Sequence, residues 1–220
     1  MKRFVKAVGG LHHTVIYTDT DGKHFRFYDG TWAWRNHNPG NVRPGYYANL
    51  HNPIGATHDF AIFADAKSGH AALLDLLMEK YGNYSIHRMI YKFAPPNENP
   101  TARYERYLHE TTGIWDDTKI KDFTKTQFKK FWETIEHFED YKVGKIIEVY
   151  RISGVQILGK NRYQYCLNEG EWISEPECIQ LAEKKKVELE VCISKLKTKF
   201  LRTPPNSLFQ KRLEDIICKK

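Results

Sequence analysis

The stretch RNHNPGN, residues 35–41, decides how the first part of this chain is interpreted. Three asparagines, a proline and a glycine occupy most of its seven positions, and neither a helix nor a central strand favours that composition. Asn and Gly tolerate left-handed backbone, and Asn side chains hydrogen-bond the nearby main chain. The stretch therefore predicts a tight loop that either turns the chain or also holds a functional group.

The pattern on either side of this loop predicts strands before it and helices after it. Composition rich in β-forming residues predicts a strand at 14–17, alternating residues predict one at 24–28, and FAIF at 60–63 is typical of a short apolar strand. Apolar spacing predicts helices, listed here by range: 67–81, 85–93, 100–111 and 124–141. Asp65 is expected to cap the first of them or, alternatively, to serve as a second carboxylate. Thr124 and Gln127 form a capping-box pattern at the start of the last.

The texture of the chain changes after Gly144. We expect strands and two helices there, over 145–152, 162–167, 174–184 (helix), 188–194, 199–201 and 208–217 (helix). Ser174 and Glu177 form a capping-box pattern at the start of the first of these helices. All ten histidines lie at or before His137, and all four cysteines lie at or after Cys166. This asymmetry predicts two units, 1–143 and 144–220.

Composition limits the class of protein. A chain of 220 residues with 41% hydrophobic content supports a packed core. No apolar run approaches the ~20 residues of a membrane span, and the N-terminus lacks a signal-peptide pattern, so we expect synthesis in the cytoplasm. The net charge of +7 is either a solvated surface or an attraction to a polyanion such as nucleic acid, a membrane surface or the cell wall. Neither the cysteines nor His37, His58 and His70 have metal-site spacing, so no metal or cofactor is predicted.

Several linked motifs then carry a family resemblance. They are WRNHNPGNVR at 34–43, FAIFADAKSGHAALLDLL at 60–77 and FAPPNENPTARYERYLHETTGI at 93–114. In this order they resemble a family of phage-borne and secreted bacterial proteins with an RNNNPGN loop and an APPxENxTxxY segment. His37 departs from the family pattern, which has Asn there. The resemblance covers roughly residues 30–143 and implies a lysozyme-like domain that acts on peptidoglycan, in proteins often described as phage structural components.

The C-terminal part resembles a second, smaller group. GEWISEPECIQLAEKKKVELEVC at 170–192 and FLRTPPNS at 200–207 are similar to a small bacterial domain of unknown function. The similarity implies an adaptor or binding module and no activity. The expected fold class is therefore α+β, with a mainly helical lysozyme-like domain that contains a small β region, followed by a small α+β accessory domain.

Glu139 is the first candidate for a catalytic acid. Phe128, Trp132, Ile135 and Glu139 are spaced by four, three and four residues, which puts the carboxyl group on the core-facing side of a helix near its end. Burial disfavours the charged form of a carboxyl, and glycosidic cleavage needs an acid that stays protonated near neutral pH. Alternatively, Glu139 extends to solvent or pairs with Lys142.

Glu98 is the rival candidate. It precedes a predicted helix, whose dipole favours the ionised carboxylate and so a base or a structural anchor. The loop and its surroundings supply the candidate substrate-binding residues, namely Trp34, Arg35, Asn36, Asn38, Asn41 and Tyr46. The family motif adds Asn99, Thr101 and Tyr104. Asparagine amides suit sugar hydroxyl and acetamido groups, and arginine suits a carboxylate, but the loop is equally compatible with a self-bonded turn.

The leading hypothesis is an enzyme, a muramidase-like glycoside hydrolase or a lytic transglycosylase that cuts the peptidoglycan glycan strand. Such an antibacterial, cell-wall-degrading protein would act in the periplasm or cell wall, or after export, and would need phage or secretion machinery for delivery. The alternatives are a non-catalytic cell-wall-binding or phage structural protein, and a basic effector that binds nucleic acid. The last is disfavoured because the chain has no nucleic-acid-binding motif.

Overall fold

The computed structural model describes residues 3–159 and 162–218, which fall into two compact units. The host unit combines Met1–Asp29 with Gly144–Lys220, and the inserted unit is the continuous segment Gly30–Val143. The predicted boundary between residues 143 and 144 coincides with the later of the two boundaries between these units. The predicted division differs from the structure at Met1–Asp29, which groups with the C-terminal segment.

The described residues form eleven strands and seven α-helices. The strands are β1 (Phe4–Gly10), β2 (Thr14–Asp19), β3 (His24–Tyr28), β4 (Gly55–Thr57), β5 (Phe60–Ile62), β6 (Lys145–Val149), β7 (Ile152–Gly159), β8 (Arg162–Leu167), β9 (Glu171–Ser174), β10 (Glu190–Ile193) and β11 (Lys199–Arg202). The α-helices are α1 (Trp32–Arg35), α2 (Tyr46–Asn49), α3 (Ala66–Asp75), α4 (Ile86–Phe93), α5 (Thr101–Thr112), α6 (Lys125–Phe138) and α7 (Glu175–Glu183). Short 3-10 helices lie at Ile120–Asp122 and Leu213–Ile216.

An antiparallel sheet in the order β1-β2-β3-β6 explains why the N-terminal segment belongs to the host unit. The β3–β6 pairing runs from His24 opposite Val149 to Tyr28 opposite Lys145. The whole inserted unit therefore takes the place of a hairpin connection between two neighbouring strands.

The buried carboxylate of Glu188 forms a second connection between the two segments of the host unit. Glu188 Oε1 accepts a hydrogen bond from the Leu11 amide at 2.9 Å and lies 3.8 Å from Arg26 Nη2. Its other oxygen accepts a hydrogen bond from the Ser207 hydroxyl. Because Glu188 and Arg26 are both buried, removing one partner would leave an uncompensated buried charge.

The rest of the host unit consists of the sheet β7-β8-β9, helix α7 and the hairpin β10–β11 around a separate apolar core. Ser174 and Glu177 form the predicted capping box of α7. The core includes Ile152, Tyr165 and Leu201.

In the inserted unit, five helices and the hairpin β4–β5 contribute to one apolar core, within the residues that the structure describes. Helix α3 continues directly into a π-helical turn at Leu76–Lys80. Asp65 caps α3 through the Ser68 amide, and the Thr124–Gln127 capping box opens α6, so both predicted caps are confirmed. Two hydrogen bonds link the two ends of the unit: the Thr31 amide donates to the Lys142 carbonyl, and the Lys142 amide donates to Thr31 Oγ1, both at 3.1 Å.

The predicted fold class, which was led by a mainly helical domain, is wrong. The described residues are 34% helical and 27% strand, with seven helices and four antiparallel sheets, so the protein is more evenly mixed. The error arises because periodicity is local, whereas β3 and β6 are far apart in sequence. The helix predicted over 208–217 is also wrong, since only the 3-10 turn Leu213–Ile216 forms there. Strands β4, β7 and β9 and the short helices α1 and α2 were not predicted.

Among the residues that the structure describes, no helix combines the length and apolar character needed to cross a membrane.

Candidate functional site

The Asn-rich loop is first of all a scaffold. It follows α1, and the buried Asn38 amide holds it closed from within. Asn38 Nδ2 donates to the carbonyls of Val42 and Ala61, and its Oδ1 accepts from the Val42 amide, each at 2.9 Å. These three bonds use Asn38 to connect the loop with strand β5.

Two glycines let this loop pack against α3. A Cβ atom on Gly69, inside α3, would lie 2.0 Å from the His37 carbonyl oxygen. A Cβ on Gly40 would lie 2.5 Å from the Leu73 side chain. The main chain of the loop therefore packs directly against α3. This contact fixes the position of the last loop residue, Asn41.

Asn41 connects the loop to the candidate acid. Its backbone has a left-handed φ of 46°, which Asn tolerates better than most residues. From this position Asn41 Nδ2 donates a hydrogen bond of 2.7 Å to Glu139 Oε2. The loop thus both turns the chain and holds a carboxyl group that is distant in sequence.

Glu139 lies directly after the last turn of α6 and is also contacted by α5. The Tyr104 hydroxyl is 3.4 Å from Glu139 Oε1 and 3.4 Å from the Ile135 carbonyl. Tyr104 is fully buried, and its ring stacks on Phe138 with 3.6 Å between centroids. Three segments, the loop, α5 and the end of α6, therefore meet at one carboxyl group.

The surroundings of Glu139 change its acidity. Burial raises the pKa of Glu139 above its ordinary value, while the hydrogen bonds from Asn41 and Tyr104 oppose that rise by favouring the carboxylate. Burial, with Glu139 nearby, also raises the pKa of Tyr104 well above its usual range, so this hydroxyl keeps its proton. Glu139 can therefore retain a proton at a higher pH than an exposed glutamate, and donors are in place for the carboxylate that forms when the proton leaves.

Glu139 lines a cleft of about 710 Å³ in the inserted unit. That volume falls within the range of small-molecule binding clefts. The walls combine aromatic rings with charged and amide side chains, and the residues that matter here are Asn41, Arg43, Tyr46, Tyr47, Lys80, Tyr81, Lys92, Phe93, Glu98, Asn99 and Glu139. The cleft thus brings together the predicted residues Glu139, Glu98, Asn41, Tyr46 and Asn99.

Glu98 has a different environment from Glu139. Its Oε2 pairs with Arg43 Nη2 at 2.8 Å, and both side chains are largely exposed to solvent. The loop that carries Glu98 is tied back through Thr101, whose hydroxyl donates to the Ala94 carbonyl. Glu98 therefore lacks the burial that favours a proton donor.

Six predicted binding residues do not line this cleft. All six are buried, namely Trp34, Arg35, Asn36, Asn38, Thr101 and Tyr104. The Arg35 guanidinium lies over the Trp32 ring at 4.1 Å from its centroid, and the Asn36 carbonyl accepts a hydrogen bond from the Phe63 amide. The side chains at 34–38 and Thr101 stabilise the loop and the segments around it. Tyr104 acts on the site through its contact with Glu139.

The cleft also contains cations that sequence reasoning did not select. Arg43 belongs to the quoted motif and lies two residues after the loop. That position was the sequence signal that could have indicated a place in the cleft. Lys80 ends the π-helical turn and Lys92 lies on α4. Single exposed lysines on helices carry no pattern that indicates a cleft.

The histidines near the site have structural contacts. His37 Nδ1 lies 3.2 Å from the Phe63 carbonyl, and burial lowers the pKa of its ring. His58 packs on Trp32 with 4.2 Å between centroids, and His70 pairs with Glu136. Over residues 3–159 and 162–218, no cluster of three or more His, Cys, Asp or Glu residues could hold a metal ion.

The geometry supports proton transfer to a bound ligand. A carboxyl group of raised pKa lines an open cleft, and an amide and a phenol are placed to hold its conjugate base. Aromatic rings and cations line the same cleft. The chain matches no protein-family model and no curated protein.

Proposed function

We propose that the inserted unit cleaves the glycan strand of peptidoglycan, with Glu139 as the general acid. The observation that carries this proposal is the Glu139 carboxyl group, which lines the cleft, is shielded enough to have a raised pKa, and is held by Asn41 and Tyr104. Cleavage of a glycosidic bond needs such an acid to protonate the leaving oxygen.

The contacts of Glu139 suit its protonated form before the proton transfer and its carboxylate form afterwards. Before the reaction, burial favours the protonated carboxyl. After the proton has moved to the glycosidic oxygen, the carboxylate accepts the Asn41 amide hydrogen bond and faces the Tyr104 hydroxyl. Hydrogen bonds to the charged form are the stronger ones, so they stabilise the state that develops during bond cleavage.

The cleft chemistry favours an anionic glycan. The rings of Tyr46, Tyr47 and Tyr81 offer aromatic surface to the C–H faces of sugar rings. Arg43, Lys80 and Lys92 offer positive charge in the same cleft. Peptidoglycan offers partners for both, since its sugar rings have C–H faces and it bears carboxylates, either on the stem peptides or on lactyl groups that carry no stem peptide. Arg43 thus replaces Arg35 as the residue proposed to face such a carboxylate.

The motif resemblance described for residues 30–143 agrees with this proposal. It implies a lysozyme-like protein, and a glutamate at the end of a helix that lines a cleft is the expected place for the acid of such a fold. The proposed site of action is the cell wall, reached through phage or secretion machinery.

Glu98 remains the candidate for a second carboxylate. A hydrolase needs a base or nucleophile on the other side of the sugar, whereas a lytic transglycosylase lets a substrate hydroxyl attack. Because Glu98 is bound to Arg43, its use as a base would require a bound substrate to compete for the arginine. The products distinguish the two reactions.

The test is to incubate the protein with purified peptidoglycan sacculi and identify soluble products by mass spectrometry. We expect muropeptide release by the wild type and a loss of at least roughly 100-fold for Glu139→Gln, the scale of general acid catalysis. Reducing sugar ends would indicate hydrolysis, and anhydro ends would indicate transglycosylation. Glu98→Gln reports on the second carboxylate.

Glu133→Gln is the matched control, because Glu133 lies on α6, the helix that Glu139 directly follows, is exposed and pairs only with Lys129 at 3.7 Å among described residues. It should release products at the wild-type rate. If the wild type releases nothing between pH 4 and 8 yet binds sacculi, and Glu139→Gln binds equally well, the cleft is a glycan-binding site without catalysis and the enzyme proposal is rejected.

A further inference from the structure

The hairpin β10–β11 of the host unit packs on the apolar core at one end and is exposed to solvent at its connecting turn. Val191 and Leu201 lie opposite each other and pack into that core. Ile193 follows two residues after Val191 on the same face of the hairpin, yet 70% of it is exposed. Leu196, at the connecting turn, is 87% exposed, and Phe200 is 42% exposed. Apolar side chains are therefore concentrated at the tip of the hairpin.

The same tip is basic. Lys195 and Lys197 flank Leu196, and both are exposed. Lys199 follows and pairs with Glu183 at 2.6 Å. From residue 191 to residue 213 the sequence contains no acidic residue. The tip thus presents positive charge and apolar surface together, with no acidic neighbour in this segment to neutralise Lys195 and Lys197.

Hydrogen bonds order the turn that carries Leu196. The Ser194 amide donates to the Thr198 carbonyl at 2.8 Å, and the two hydroxyl groups of these residues lie 2.6 Å apart. The Leu196 amide donates to Ser194 Oγ at 3.2 Å, and Lys197 has the left-handed φ of 59° that closes the turn. An ordered turn presents Leu196 outward at a small further entropy cost.

We propose that this tip, residues 193–200, docks on the surface of a lipid bilayer that contains anionic headgroups. The hairpin enters tip first. Leu196 at the turn, with Ile193 on one face of the hairpin and Phe200 on the other, reaches the boundary between headgroups and acyl chains, while Lys195 and Lys197 contact the headgroups. A soluble polyanion would match the lysines only and would leave the apolar side chains in water. The combination of both properties favours a bilayer, and the inference does not depend on the proposed enzyme activity.

The test uses the full-length protein in sedimentation with unilamellar vesicles at low ionic strength. We expect partitioning onto vesicles of mixed anionic and zwitterionic lipid, and little onto purely zwitterionic vesicles. Leu196→Ser should weaken partitioning by roughly tenfold or more, the scale of a buried leucine side chain. Lys195→Gln with Lys197→Gln should weaken it by roughly 25-fold, about fivefold for each lysine.

Matched controls separate this site from general effects of charge and hydrophobicity. Leu208 belongs to the same unit and is 76% exposed, so Leu208→Ser removes a similar apolar side chain elsewhere. Lys184→Gln with Lys211→Gln removes the same charge from two other exposed positions. Both controls should partition within twofold of the wild type, and circular dichroism should show every variant folded.

Three results would overturn the proposal. The first is equal partitioning onto zwitterionic and anionic vesicles. The second is a Leu196→Ser variant that partitions like the wild type while the double lysine variant does not, because a polyanion-binding tip would then explain the data. The third is an equal loss in the matched controls.

Discussion

At the scale of single residues, the site depends on a balance at Glu139. Burial raises the pKa of its carboxyl group, and the Asn41 and Tyr104 hydrogen bonds lower it again in part. A general acid works only while it is protonated, so this balance sets the upper pH limit of the proposed activity. The loop residue Asn41 therefore adjusts the chemistry without being the acid.

Asn41→Gly tests this balance. Glycine accepts the left-handed backbone at this position, so the variant removes the amide hydrogen bond with little added strain. Because that bond favours the carboxylate, its loss should raise the pKa of Glu139 further and move the alkaline limb of the kcat/KM profile to higher pH. The profile is measured by muropeptide release from sacculi.

Tyr104→Phe is the companion variant, since it removes the longer contact of 3.4 Å and should move the same limb in the same direction by less. An alkaline limb that stays in place or moves to lower pH in Asn41→Gly would contradict this account of the Glu139 environment.

At the scale of elements, the contact between the loop and α3 depends on glycine. Helix propensity alone predicts that Gly69→Ala stabilises α3 by about 1 kcal/mol. The structure reverses that sign, because the new Cβ would lie 2.0 Å from a backbone oxygen, which cannot rotate away. The loop would have to shift away from α3, and Asn41 would shift with it.

We therefore expect Gly69→Ala to lower the free energy of unfolding by about 1–3 kcal/mol, the usual cost of overpacking. Urea denaturation measures it. Lys67→Ala, at an exposed position of the same helix, should change the free energy by less than about 0.5 kcal/mol. Gly40→Ala should cost less than Gly69→Ala, because the atoms it meets belong to the buried Leu73 side chain, which can shift, and not to the backbone. A stabilised Gly69→Ala variant would refute the close packing.

The elements that the sequence predicted well are those with local signals. Asp65 before α3 and the capping boxes of α6 and α7 are visible within a few residues, and all three are confirmed. Elements whose evidence lies elsewhere in the chain were missed. The run at 145–152 was predicted as one strand, whereas the chain changes pairing partner from β3 to β8 between Val149 and Ile152.

The candidate site was predictable to a similar extent. Helical spacing placed Glu139 on the inner side of α6, and its contact with Asn41, 98 residues earlier in the chain, follows no local rule. The loop composition indicated hydrogen-bonding asparagines but not which role each of them has. Asn38 closes the loop, and Asn41 reaches the carboxyl group. Only the packing of the loop against α3 separates these roles.

At the scale of the whole molecule, the division into host and inserted units predicts how fragments behave. The inserted unit, Gly30–Val143, is continuous and has its own core. Expressed alone, it should fold cooperatively and, under the proposed function, release muropeptides. The fragment 144–220 should not reach its native fold, because it lacks the strands that pair with β6 and the Leu11 and Arg26 partners of Glu188.

Thermal melting followed by circular dichroism, with amide NMR spectra of both fragments, checks this prediction. A sharp transition for 30–143 and a poorly dispersed spectrum for 144–220 are the expected results. A natively folded 144–220 fragment would show that the first three strands contribute little to the stability of the host unit.

The paired ends of the inserted unit have a consequence for the order of assembly. Closing a long, disordered connection between β3 and β6 would carry a loop-closure entropy that grows with its length. Once Thr31 and Lys142 are hydrogen-bonded within a folded insert, the chain that joins the two strands behaves like a short tether. During synthesis the inserted unit leaves the ribosome before β6 does, so the inserted unit can fold first. Its folded form then holds β6 close to β3, the strand with which β6 pairs.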